Sequence, residues 1–222
     1  MIRAIISDFD GTLCNTKQAI SVVLQETFRA RGKDVPRLET IHASIGRGIT
    51  LEETLAELVP ALASTPDVCR EWVVAYREIY DGGLGIRSSI EFPGTRAALT
   101  ALSRAGIPII VVSNKGTIAV ERTLRHLALE PYVHAVVGAE MGMATKPDPK
   151  SFSERIAPFF PDLKASDYLM VGDTPTDIRY ARAIGAPSAW VSFGYGDQET
   201  CRALNPDYVF DDLAELAELF AA

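Results

Sequence analysis

Basic residues are in short supply: 22 Lys and Arg stand against 29 Asp and Glu in 222 residues, for a formal net charge of −7. A chain with no cationic excess cannot displace many counterions from a phosphate backbone, which speaks against nucleic acid as the main partner. Cysteine is scarce as well. Cys14, Cys69 and Cys201 are odd in number, widely spaced and without a Cys-x-x-Cys pair. That argues against a disulfide framework or a structural zinc site and suits a reducing cytoplasm. No apolar run approaches the roughly 20 residues of a membrane span. The opening Met1-Ile2-Arg3-Ala4-Ile5-Ile6 meets two aspartates by position 10, too soon for a secretory signal. The expectation is a cytoplasmic, water-soluble protein with no membrane partner. Histidine is rare too, and His42, His126 and His134 show no metal-ligand spacing.

What the chain does have is apolar material, 47% of its residues, enough for a substantial core. Short apolar runs at Ala4–Ser7, Ile107–Ser113, Tyr168–Gly172 and Ala186–Ser192 read as buried strands, with weaker ones at 135–137 and 208–210. Helical periodicity fills the gaps, over Thr95–Ala105, Ile118–Leu127 and Asp177–Ile184, with Gly106 and Gly185 where helix-ending glycines belong. Strand–helix–strand alternation predicts an α/β fold, a doubly wound parallel sheet with a Rossmann-like core. Residues 15–85 break the pattern. Helical segments at Lys17–Arg31, Leu38–Ile45, Leu51–Leu58 and Asp67–Tyr80 occur there without a convincing strand. This predicts a small all-helical cap inserted after the first strand, with the core formed by 1–14 plus 86–222. The two crossings, near Cys14–Lys17 and Gly82–Phe92, are the expected hinges.

Four polar segments fall at predicted carboxyl ends of strands or in the loops that follow. They are Asp8-Phe9-Asp10-Gly11-Thr12, Ser113-Asn114, Lys146-Pro147-Asp148-Pro149 and Gly172-Asp173-Thr174-Pro175-Thr176-Asp177. In open parallel sheets, ligands bind at that edge. A single Asp-x-Asp there could be no more than a turn or a cap; four such segments in one order outrun capping needs. Asp8, Asp10, Asp173 and Asp177 would repel one another if unpaired. A divalent cation and one buried lysine, Lys146, resolve the conflict, and an all-oxygen ligand set favours Mg²⁺.

The order of these segments resembles the haloacid dehalogenase superfamily of aspartate-nucleophile phosphatases. More narrowly it resembles the phosphoglycolate phosphatase-like branch with a helical cap after the first motif. The resemblance spans essentially the whole chain. It implies that Asp8 attacks phosphorus to form an aspartyl-phosphate, with Asp10 protonating the leaving oxygen and then activating water. It further implies that Gly11, Thr12, Ser113 and the amides near Asn114 hold phosphate oxygens, and that Lys146 offsets charge. Mg²⁺ would be bound by the Asp8 carboxylate, the Asp10 carbonyl and Asp173, with Asp177 in the outer shell. The implied substrate is a small phosphorylated metabolite, phosphoglycolate first among them, and monomer and homodimer stay equally open. Asp10 favours phosphate esters over haloacids and phosphonates. A sugar-phosphate mutase and a non-catalytic phosphate- or partner-binding relative are the alternatives; the first cap helix lacks the early histidine usual in such mutases. In the cap, Arg47 of the loop Ile45-Gly46-Arg47-Gly48 reads two ways, as a bidentate grip on the substrate or as a solvated turn arginine. The loop Gly194-Tyr195-Gly196-Asp197 likewise resembles one in the family but could be a plain turn.

Overall fold

The computed structural model describes residues 1–220. Six parallel strands make the central sheet: β1 Ala4–Ser7, β4 Ile109–Gly116, β5 Ala135–Ala139, β6 Tyr168–Gly172, β7 Ser188–Val191 and β8 Tyr208–Phe210. Their spatial order is β5-β4-β1-β6-β7-β8. The chain winds outward from β1 through β4 to β5, then returns to β6 on the other side of β1. The winding therefore reverses at β1, which places Asp8 at the crevice where such sheets bind ligands.

The strands read as unbroken apolar runs because both faces of the sheet are covered. Successive side chains point to opposite faces. Ile5, Ile109, Val111, Leu169 and Val171 join one cluster with the helices α6 (Thr95–Arg104) and α11 (Ala214–Glu218). Their neighbours Ala4, Ile6, Ile110, Val112 and Met170 join a second cluster with Phe152 of α8 (Lys150–Arg155) and with α9 (Pro175–Ile184). Two more helices complete the core, α7 (Thr117–His126) and α10 (Gln198–Ala203).

Between β1 and α6 lie α1 (Lys17–Ala30), α2 (Leu38–Ile45), α3 (Leu51–Leu58), α4 (Pro66–Asp81) and the short α5 (Leu84–Arg87). They share their own apolar cluster around Leu24, Phe28, Ile41, Leu55, Trp72 and Tyr80, with Phe28 edge-on to Trp72 at 4.9 Å. Ala119 of α7 is the one core residue buried in that cluster, so α7 is where the helical layer rests on the sheet domain. The two crossings are not free strands of coil. Cys14–Asn15 (β2) and Ile90–Glu91 (β3) pair antiparallel, which ties the exit and re-entry of the chain together. Sequence reading gave no hint of this pair, since two-residue strands carry no periodicity.

Candidate active site

The site is assembled from strand ends. β1 delivers Asp8, whose amide donates to the Val171 carbonyl at 2.8 Å, the last rung before the chain turns away from the sheet. At that turn Gly11 has φ +87°, and a Cβ there would collide with the Asp173 carboxylate. Glycine is required on both counts. A Cβ at Gly194 would collide with the Asp173 side chain as well.

Asp173 directly follows β6 and is fully buried. Thr12 Oγ1 donates to its Oδ1 at 3.1 Å, and the Tyr195 amide donates to its Oδ2 at 2.7 Å. Its backbone carbonyl accepts from Trp190 Nε1 at 3.0 Å. Asp177 has two functions because its oxygens are divided. Oδ2 closes the capping box of α9, accepting the Thr174 amide at 3.0 Å and the Thr174 hydroxyl at 2.7 Å. Oδ1 is left for Lys146, whose Nζ lies 2.6 Å away. The same Nζ lies 2.8 Å from Asp8 Oδ1, and the lysine is 4% exposed.

Electrostatics follow from this crowding. Burial raises the Asp8 carboxyl to about 7 even though Lys146 opposes the shift, and Asp177 pushes the same way as burial. Asp173 is pushed well above the carboxylate range, by burial first and then by Asp8 and Asp177, against the Tyr195 amide and Thr12 hydroxyl. Burial pulls the Lys146 ammonium down, but Asp177 and Asp8 outweigh it and hold it charged. One oxygen from each of Asp8, Asp173 and Asp177 can be chosen so that all three lie within 4.8 Å of one another. Three buried carboxylates against a single ammonium are short of positive charge, and every donor is oxygen. The set fits a hard divalent cation of the Mg²⁺ type.

Asp10 sits slightly apart from this cluster. Its Oδ1 accepts from the Thr16 hydroxyl at 2.5 Å and lies 3.3 Å from Lys115 Nζ. The Lys115 side chain is 8% exposed, stands 4.1 Å over the Tyr80 ring, and was not anticipated from the sequence. No local pattern marks it: β4 runs on past Ser113 to Gly116, and only that extension puts Lys115 at a strand end beside the site. Tyr195 likewise does more than turn the chain. Its hydroxyl accepts the Thr16 and Lys17 amides at 2.6 and 2.9 Å, satisfying the first donors of α1.

The remaining expected residues divide. Ser113 is buried on the cavity wall, with its Oγ accepting the Lys115 amide at 3.2 Å. The Asn114 side chain turns to the cap loop instead, its Nδ2 donating to the carbonyls of Gly48 (2.9 Å) and Lys146 (3.0 Å). Arg47 is not brought to the cavity. Its guanidinium is about half exposed and pairs with Glu57, while its backbone carbonyl accepts the Thr176 hydroxyl at 2.7 Å. The loop meets the core through its backbone, not through the arginine.

Comparison with known proteins agrees with this geometry. Residues 5–191 match the model of the haloacid dehalogenase-like hydrolases. The chain belongs to that family. It is 30% identical to the phosphoglycolate phosphatase of Nitrosospira multiformis, over 98% of this chain and 95% of that protein. It is 28% identical to that of Vibrio parahaemolyticus, over 99% and 96%. A haloacid dehalogenase-like protein from Streptococcus pneumoniae superposes with a TM-score of 0.83 at 25% identity, over 99% of this chain and 98% of that one. A hydrolase structure from Bacteroides fragilis, at 24% identity, gives 0.87 over 97% and 100%, and shows the shared fold. Within the family the chain falls in the phosphoglycolate phosphatase-like branch. Among the described residues, no helix is long and apolar enough to cross a membrane.

Proposed function

We propose that this hydrolase of the phosphoglycolate phosphatase-like branch cleaves a small phosphate monoester with Mg²⁺ and an aspartyl-phosphate on Asp8. The observation that carries the reading is the Lys146 ammonium held between Asp8 and Asp177 with Asp173 alongside, a charge arrangement short by about one divalent cation. Asp8, Asp173 and the Asp10 carbonyl would hold that ion, and Asp177 would order its surroundings. When bound, the ion supplies neutralisation of the phosphate oxygens and keeps the nucleophile ionised.

The protein's own groups account for the rest. Asp8 is the nucleophile, and Lys146 faces the oxygen it presents, offsetting charge between carboxylate and phosphate. Gly11, Thr12 and Ser113 lie around the same strand ends and are assigned to the phosphate oxygens. Asp10, two residues from the nucleophile and clear of the Lys146 cluster, is free to exchange a proton with the leaving oxygen. Thr16 and Lys115 hold its Oδ1, which leaves the other oxygen for the ester. The helical layer over the strand ends would exclude bulk water during the transfer.

Hydrolysis of p-nitrophenyl phosphate is the direct test. Turnover with Mg²⁺ that EDTA removes and added Mg²⁺ restores is the expected result, with Asp8→Asn silent by about 10⁴-fold or more. Wild-type-like turnover by Asp8→Asn would overturn the mechanism. Absence of turnover on this ester and on a panel of phosphorylated metabolites, phosphoglycolate included, would favour a non-catalytic binding role.

A further inference from the structure

Between the helical layer and the strand ends lies a cavity of about 480 Å³ whose two halves differ in chemistry. The floor holds Asp8, Asp10, Ser113 and Lys146. The opposite wall is built by Ile20, Leu24, Ile45, Ile49, Leu51 and Tyr76, contributed by α1 to α4 and the loop at 46–50. For scale, an apolar cavity of about 150 Å³ takes a benzene ring. The space therefore accommodates a phosphate and a body of ring size together.

Most charged groups on the cavity wall already have partners. Lys146 faces Asp8 and Asp177, and Lys115 faces Asp10. The third lining cation, Arg77, lies 4.0 Å from Glu52. Asp81 and Glu140 add two acids to the lining, the second paired with Arg155 at 3.1 Å. The one guanidinium on the cap loop, Arg47, is turned out onto Glu57. A short leaving group would leave most of the apolar wall uncovered, and the one guanidinium lining the cavity, Arg77, is set against Glu52. The Thr54 and Tyr76 hydroxyls on that wall can hydrogen-bond neutral groups.

We infer that the leaving group selected by this cavity carries an apolar ring or branched chain, larger than the short carboxylate of phosphoglycolate. The inference rests on the phosphatase reading and deepens it by naming the substrate class. Specificity would come from burying the apolar body against Ile20, Leu24, Ile49 and Leu51, an interaction that grows with the area covered.

Benzyl phosphate and phosphoglycolate make the decisive pair, because both release an unactivated alkoxide and differ in what it carries. With Mg²⁺ and the full-length protein, kcat/KM for benzyl phosphate is expected to exceed that for phosphoglycolate by about tenfold or more. Ile49→Ala, at a half-buried loop position that a smaller side chain can occupy, should shrink that preference by about threefold, mainly through KM for the benzyl ester. A phosphoglycolate kcat/KM equal to or above the benzyl value overturns the inference, as does an Ile49→Ala preference equal to wild type. Both results leave the phosphatase reading standing, provided p-nitrophenyl phosphate is hydrolysed. Failure on all three esters overturns that reading, and the inference with it.

Discussion

The Tyr195 amide donates to Asp173 Oδ2 at 2.7 Å, so the residue that steadies one buried carboxylate also holds the entry to the helical layer through its hydroxyl. One side chain thus links the strand-end cluster to the start of α1. Tyr195→Phe keeps the backbone contact to Asp173 but leaves the Thr16 and Lys17 amides without their acceptor. The expected loss is about 1–3 kcal/mol of stability, or roughly 2–12 °C in Tm for a chain of this size. Because Asp173 keeps its donor, the Mg²⁺ concentration for half-maximal activity should stay put while kcat/KM falls. Thermal melts and a Mg²⁺ titration of activity check both halves; a shifted Mg²⁺ requirement with unchanged Tm would contradict this account.

Lys146 is the only cation within hydrogen-bond distance of Asp8 and Asp177 among the described residues. Lys146→Met removes it and leaves three buried carboxylates facing one another. Breaking such a pair typically costs about 3–5 kcal/mol, because the partner charge stays behind uncompensated. Activity should be lost and urea unfolding should shift to lower denaturant. Added Mg²⁺ should recover part of the stability, since it supplies the missing positive charge, without recovering turnover.

The cap loop gives a contrast between side chain and backbone. Arg47 reaches Glu57 and solvent, so Arg47→Ala should change kcat/KM by no more than about twofold, as exposed ion pairs contribute little. Asn114 carries the loop instead, through Gly48 and Lys146. Asn114→Ala strips two carbonyls of their donor and should lower kcat/KM about tenfold. Steady-state kinetics of the two variants side by side would reverse this ranking if the arginine gripped substrate.

The contrast also marks how far the sequence could be read. The strands at 4–7 and 168–172 were legible as unbroken apolar runs because both of their faces are buried, and the helices at 38–45 and 51–58 because one buried face imposes a period of 3.6. That Asp8, Asp10, Asp173 and Asp177 gather at one sheet edge with Lys146 among them was legible because like charges at strand ends need a counter-charge. Lys115 was not, because its role depends on β4 running three residues past Ser113, and no apolar side chain records that extension. The direction of Arg47 was hidden for another reason. It depends on Glu57, one helix further along, and a pairing across a turn leaves no mark in local pattern.

Acidity supplies the last prediction. Asp8 in the metal-free protein stands near 7 against its ordinary 3.8, with burial the main cause. Between those values the native state holds a proton that the unfolded chain has released. Stability of the metal-free protein therefore falls as pH rises from about 4 to about 7. Asp173, also raised, adds to the same trend. A bound divalent cation favours the ionised carboxylates, so its stabilising effect should grow over the same range. Melting curves in EDTA and in Mg²⁺ should lie close together at pH 5 and separate by several degrees at pH 8. In Asp8→Asn one of the titrating groups is gone, so the EDTA curve should depend less on pH, and the metal-free variant should be at least as stable as wild type at pH 8. A separation that narrowed with rising pH would mean that the carboxylates are not what the cation neutralises.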